Sequence, residues 1–137
     1  MKNIHFLDTS YILALEIKNE YAHHQVIQNW STLAISKPLL VTTTYVFDEI
    51  VTFLNSRNLH HKAVEIGNQL LESPDIELVE IDQVLFNQGW EYFQKYHDKS
   101  YSLTDCLSFV VMEDRKISTA LTLDNHFRQA GFKILPS

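Results

Sequence analysis

Phe6-Leu7-Asp8-Thr9-Ser10-Tyr11 places an acid at the end of an apolar run and follows it directly with two hydroxyl residues. The preceding residues, IHFL at 4–7, have the composition of a β-strand, and YILALEIK has the period of a helix opening at Thr9 or Ser10. Asp8 therefore stands at the carboxyl end of a strand, where a turn begins. Its bland reading is a helix N-cap, because Asp, Thr and Ser all accept hydrogen bonds from free helix-start amides. Thr9 or Ser10 could cap in its place, which would leave Asp8 free for a site built with residues far along the chain.

The same alternation continues outward from this stretch. LLVTT at 39–43, IELVEI at 76–81, TALTL at 119–123 and FKIL at 132–135 read as further strands. Between them, helical periodicity covers EYAHHQVIQNWSTLA after a break near Lys18-Asn19, then TYVFDEIVTFLN, HHKAVEIGNQLLE up to Pro74, and QVLFNQGWEYFQKY. A sixth helix begins near Ser102 and continues as LTDCLSFVVMEDR, and a short turn around NHFRQAG joins the last two strands. Alternating strands and helices predict an α/β fold, a mostly parallel sheet covered by helices on both faces. Ligands of such sheets gather outside the carboxyl ends of the strands.

Composition narrows the class. The 137 residues, 45% of them apolar, suit one globular domain spanning 1–137 around one core. A single cysteine, Cys106, excludes an internal disulfide, and no Cys/His zinc spacing occurs, so the expected compartment is the reducing cytoplasm. No apolar run is long enough to cross a bilayer and no signal segment opens the chain, so a soluble, unprocessed protein is expected. The net charge of −6 argues against nucleic-acid binding through a broad basic surface. It leaves room for a nuclease whose carboxylates are neutralised by a divalent cation.

Three more acids invite the question raised by Asp8. In VTTTYVFDEIVTFLN the apolar stripe runs through Val46, Phe47, Ile50, Val51, Phe53 and Leu54, and Asp48 and Glu49 fall near its opposite borders. Periodicity does not choose between them, and a solvated flank is the bland reading of either. Asp105 lies on a helix that is apolar on nearly every side, through Leu107, Phe109, Val110, Val111 and Met112. A buried carboxylate there needs a partner, because an unpaired buried charge costs several kcal/mol or becomes protonated. Its competing explanation is a capping box over Ser102-Leu103-Thr104-Asp105. Asp124 follows the strand TALTL as Asp8 follows IHFL, with turn chemistry in Asp-Asn as the alternative. Two strand-end acids would share one rim if their strands are neighbours.

The segments FLDTSYILAL, TTYVFDEIVTFL, YSLTDCLSFVVM and TALTLDNHFRQAGFKIL, in that order, resemble the four signature blocks of PIN-domain ribonucleases, most closely the VapC-type toxins. Each block alone is weak; four in order, each with its acid, carry the resemblance over the whole chain. It implies an α/β/α sandwich with a parallel sheet in the order 3-2-1-4-5, and it assigns the site to Asp8, Glu49 rather than Asp48, Asp105 and Asp124. It further implies divalent-metal-dependent cleavage of RNA to 5′-phosphate and 3′-hydroxyl ends, and a cognate antitoxin that restrains a toxic enzyme. Toxins of this kind are often dimers, and the sequence leaves the oligomeric state open. One departure from the family is Cys106, where a small residue such as Ala is common; Cys packs as a small apolar group.

Carboxylates are hard ligands that suit Mg²⁺ or Mn²⁺ and suit zinc poorly without His or Cys. Asp8 and Asp105 are expected as main ligands, completed by Glu49 and Asp124, with Thr9, Ser10 and Asn125 orienting a ligand or the scissile phosphate. The adjacent pairs His23-His24 and His60-His61 lack the i, i+4 spacing of a shared metal site, so surface roles are expected, except that His126, beside Asp124, could approach the substrate. Trp30, Trp90, Tyr92 and Phe93 follow helical spacing and read as core or interface. Two other functions compete: a PIN-like module that binds RNA or protein without cutting, and a phosphotransfer or receiver domain. The latter is disfavoured because Ser10 stands where a dehalogenase-type phosphatase needs a second Asp, and TALTLDN offers no receiver Lys.

Overall fold

The computed structural model describes residues 3–19 and 21–137. Five strands, β1 (Ile4–Leu7), β2 (Leu39–Thr43), β3 (Ile76–Val79), β4 (Thr119–Leu121) and β5 (Lys133–Leu135), form one sheet in the order β3-β2-β1-β4-β5. All four pairings are parallel, and β1 lies at the centre with Phe6 opposite Val41 on one side and Ala120 on the other. The expected strand order and α/β/α class are thus borne out. Central strands buried on both faces explain the near-continuous apolar runs in β1 and β2.

Among the described residues seven helices connect and cover the sheet: α1 (Thr9–Glu16), α2 (His23–Leu33), α3 (Thr44–Ser56), α4 (His60–Glu72), α5 (Gln83–Lys95), α6 (Leu103–Asp114) and α7 (His126–Gln129). A 3-10 turn at Ala34–Ser36, not expected from the sequence, ends α2. The expected second helix opened at Glu20, which lies outside the described residues; α2 begins at His23. Contacts fall into an α1–α4 group and an α5–α7 group, bridged where α3 meets α6. Residues 105–112 of α6 are all buried, as its all-round apolar character requires.

Local chemistry sets the helix starts. The Thr43 hydroxyl accepts from the Val46 amide at 3.1 Å and the Asp82 carboxylate from the Leu85 amide at 2.9 Å, so each caps its helix. Three strands are shorter than their apolar runs. Beyond Leu121 the Leu123 amide donates to the Ser10 hydroxyl at 2.9 Å, so a side chain replaces the ladder. Ile81 likewise donates to the Thr44 hydroxyl, and Phe132 to the Phe127 carbonyl.

The contact between α5 and α6 depends on Gly89. A Cβ built there would lie 2.3 Å from Leu107 Cδ2 and 2.9 Å from its Cγ, and Leu107 is fully buried. Gly89→Ala is therefore expected to destabilise the protein by about 1–3 kcal/mol despite the better helix propensity of alanine. A denaturant midpoint that rose would show that α6 yields freely.

Candidate active site

The carboxyl ends of β1 and β4 lie side by side, and the backbone carries Asp8 and Asp124 to the same rim. The Asp8 amide donates to the Leu121 carbonyl at 3.0 Å, extending the β1–β4 pairing by one residue. Asp8 occupies the N-cap position of α1 in extended conformation, yet its side chain caps nothing. Its Oδ2 instead accepts from Thr122 Oγ1 at 2.6 Å and from Ser10 Oγ at 3.0 Å. Neither Thr9 nor Ser10 takes over as the cap: Thr9 is the first helical residue, and its hydroxyl donates across to Glu49 Oε1 at 2.5 Å. The capping alternative for Asp8 thus fails in geometry, and so does the expectation that its neighbours cap for it.

Burial separates Asp48 from Glu49. Asp48 is exposed and accepts only from Thr52 on its own helix, whereas Glu49 is half-buried and tied to β1's end through Thr9. Asp48→Asn should leave RNA cleavage unchanged and stability within about 0.5 kcal/mol of wild type. Glu49→Gln should lower cleavage by roughly 10²-fold, the scale seen when one group aimed at the reacting charge is lost. Equal rates for the two variants in an initial-rate assay would contradict this placement.

Asp105 does both things the sequence allowed. It completes the capping box, since its Oδ2 accepts from the Ser102 amide at 3.1 Å while its own amide donates to Ser102 Oγ at 3.0 Å. The same Oδ2 lies 3.1 Å from His126 Nδ1, which is also 3.3 Å from Asp124 Oδ1. Asp124 is held in turn: its amide donates to Thr122 Oγ1 at 2.9 Å, and its Oδ1 accepts from the His126 amide at 2.9 Å. Asn125 is exposed, and its Oδ1 accepts from Arg128 at 3.1 Å; no hydrogen bond joins it to the four acids.

One neighbour of the acids, Thr122, lies outside the sequence-based set, and a second, His126, is expected there only beside Asp124. Thr122, fully buried, links Asp8 to the Asp124 amide; it reads as an ordinary strand residue, and only the β1–β4 pairing brings it to Asp8. His126 sits between two of the acids and packs edge-on against Tyr101, with ring centroids 5.4 Å apart. Of the other histidines, His24, His60, His61 and His97 are exposed, while His5 is buried in β1 with Nδ1 lacking a partner. Cys106 is fully buried, and burial pushes its thiol up to about 11, so it packs as an inert apolar group.

Electrostatics follow from this crowding. Burial raises the Asp8 carboxyl to about 7; hydrogen bonds from Thr122 and Ser10 oppose the rise, and the charges of Asp105 and Asp124 add to it. Burial also raises Asp105, with repulsion from Asp124 next, and raises Glu49 against the pull of the Thr9 hydroxyl. The site suits a divalent cation on two grounds. Its acids repel one another in a poorly solvated place, and ligand atoms of Asp105, Asp124 and His126 all lie within 4.8 Å of each other.

Parallel strands in this order, with acids at two neighbouring strand ends and on two flanking helices, define a PIN domain. The chain belongs to that family, whose pattern it matches over residues 5–133. Over 127 residues it is 31% identical to the 23S rRNA-specific endonuclease VapC20 of Mycobacterium tuberculosis, in strains CDC 1551 / Oshkosh and ATCC 25618 / H37Rv, covering 93% of this chain and 94% of the relative. The crystal structure of VapC20, described as a sarcin-ricin loop cleaving toxin, superposes with a TM-score of 0.84 at 30% identity, over 94% of this chain and 95% of that one. FitAcB from Neisseria gonorrhoeae, at 17% identity and a TM-score of 0.64 over 96% of this chain and 95% of its own, shares the fold. The reading as a ribonuclease of the VapC toxin class, drawn from four short blocks, is borne out by these matches.

Proposed function

We propose that the protein is a divalent-cation-dependent endoribonuclease, the toxin of a toxin–antitoxin pair, whose substrate is ribosomal RNA. The observation that carries the reading is the convergence of Asp8, Glu49, Asp105 and Asp124, from four separate elements, on one rim where each of the first three is raised by burial. The likeness to an enzyme specific for 23S rRNA supports the choice of substrate.

Asp8, Asp105 and Asp124 would hold the cation, Mg²⁺ or Mn²⁺, with Glu49 completing the set. When bound, the ion supplies the positive charge that acidifies a water molecule and neutralises the phosphate under attack. The chain's own residues prepare for this. Thr122 and Ser10 fix one Asp8 oxygen and leave the other for ligation. Thr9 sets the direction of Glu49, and the Ser102 box anchors Asp105 at the start of α6, where the helix dipole favours its charge. Hydrolysis by water with the 3′-oxygen leaving yields 5′-phosphate and 3′-hydroxyl ends. A single domain acting in the cytoplasm, a cognate antitoxin and a homodimeric assembly belong to the same proposal. Among the described residues no helix is long and apolar enough to cross a membrane.

The test is to incubate the purified protein with intact ribosomes, naked 23S rRNA and tRNA in Mg²⁺ or Mn²⁺ and map the cuts. One dominant position in 23S rRNA is the expected result. Equal nicking of every RNA would refute the substrate, and binding without cutting of any RNA would favour the non-catalytic alternative.

A further inference from the structure

Four carboxylates alone suit Mg²⁺ or Mn²⁺ without choosing between them, and the sequence places His126 only as a neighbour of Asp124. The folded chain alters that premise. His126 Nδ1 lies 3.1 Å from Asp105 Oδ2 and 3.3 Å from Asp124 Oδ1, and one ligand atom from each of the three residues fits within a 4.8 Å group. The imidazole is not a surface side chain that happens to reach the acids. Its ring packs edge-on against the buried Tyr101, and its backbone amide is fixed on the Asp124 carboxylate at 2.9 Å. The next residue, Phe127, is fully buried against Phe6 and Phe109, which anchors α7 and limits how far the ring can withdraw.

We infer that His126 is a nitrogen ligand of the cation site and biases it toward a first-row transition ion, Mn²⁺, over Mg²⁺. The chemistry is one of donor softness. Mg²⁺ demands hard oxygen donors in a near-ideal octahedron and gives up water reluctantly, whereas ions of the first transition row accept imidazole. A purely carboxylate rim would discriminate little between Mg²⁺ and Mn²⁺; a mixed rim of two Asp oxygens and one imidazole nitrogen does. The inference rests on the reading of the rim as a cation site and adds which ion it prefers and through which residue.

Binding of Mn²⁺ and of Mg²⁺ alone is measured by calorimetry, with Mn²⁺ electron paramagnetic resonance and Mg²⁺ as competitor, in the absence of RNA. Wild type, His126→Ala, His126→Asn and Asp105→Asn are compared, with thermal midpoints taken to verify folding. The wild type is expected to bind Mn²⁺ more tightly than Mg²⁺. Loss of even an outer partner of a ligand costs roughly 10–100-fold in metal affinity, so both His126 variants should lose at least roughly tenfold for Mn²⁺ and much less for Mg²⁺. The conservative His126→Asn variant carries the test if the alanine variant unfolds. An unchanged ratio of the two affinities in a folded His126 variant overturns the inference, because His126 then only hydrogen-bonds to the acids. Unaltered binding in Asp105→Asn would instead overturn the cation site itself, a result distinguishable from the first.

Discussion

Asp105→Asn is expected to reduce RNA cleavage by at least about 10³-fold while leaving the protein as stable as wild type, or more so, when no cation is added. The activity term follows from removing one of the charges on which the cation and the reacting phosphate both depend; loss of a single aimed dipole already costs roughly 10²–10³-fold. The stability term follows from geometry. Asparagine keeps an oxygen that can accept from the Ser102 amide, so the start of α6 stays capped, while the buried charge beside Asp124 disappears. Burial and the Asp124 charge outweigh the hydrogen bonds from Ser102 and His126, so a neutral isostere relieves a net cost of holding this charge. The opposite signs separate a site residue from a structural one, since a carboxylate retained for its cap alone would cost stability when neutralised. Initial cleavage rates and thermal midpoints in chelator test both halves, and a folded variant that cuts at the wild-type rate would refute the assignment.

The second large effect is on pH dependence. Asp8 has an ordinary carboxyl value of 3.8 and stands near 7 in the fold, so between these values the folded chain holds a proton that the unfolded chain has released. Stability must then fall as pH rises through this window, being highest near the unfolded value and lowest above the folded one. A shift of about three units corresponds to on the order of 4 kcal/mol at full ionisation, and Asp105 and Glu49, raised in the same direction, act with the same sign. In chelator the thermal midpoint should therefore drop from pH 5 to pH 8. Asp8→Asn should flatten the profile, and a divalent ion at about 100 times its dissociation constant should restore about 2.7 kcal/mol at pH 8. A midpoint that climbs over this range without added ion would mean that the acids are already compensated by protein groups.

These expectations differ in how far they can be read from sequence alone. The sheet is legible because short apolar runs, buried on both faces in β1 and β2, alternate with helices, while the strand order rests on the resemblance of the four blocks. Asp105 is legible because α6 has almost no polar face on which a charge could sit in water. Glu49 is not legible from its own helix, since it and Asp48 border the same stripe; the deciding contact is Thr9, forty positions away. Thr122 escapes for the same reason, and of His126 only its place beside Asp124 is legible, not its contact with Asp105. A threonine in a strand and a histidine after a turn carry no periodic signal, and their contacts exist only once parallel pairing sets β1 beside β4 and α7 packs against α6. Local pattern reports burial well, but it does not report which buried groups meet.

The ends of the cleaved RNA test the central claim most directly. In Mg²⁺ or Mn²⁺ the wild-type protein should release fragments with 5′-phosphate and 3′-hydroxyl ends, and chelator or Asp8→Asn should abolish their formation. Fragments ending in a 2′,3′-cyclic phosphate, formed equally well in chelator, would show that the RNA's own 2′-hydroxyl is the nucleophile and that the carboxylate rim is not a cation-dependent hydrolytic site.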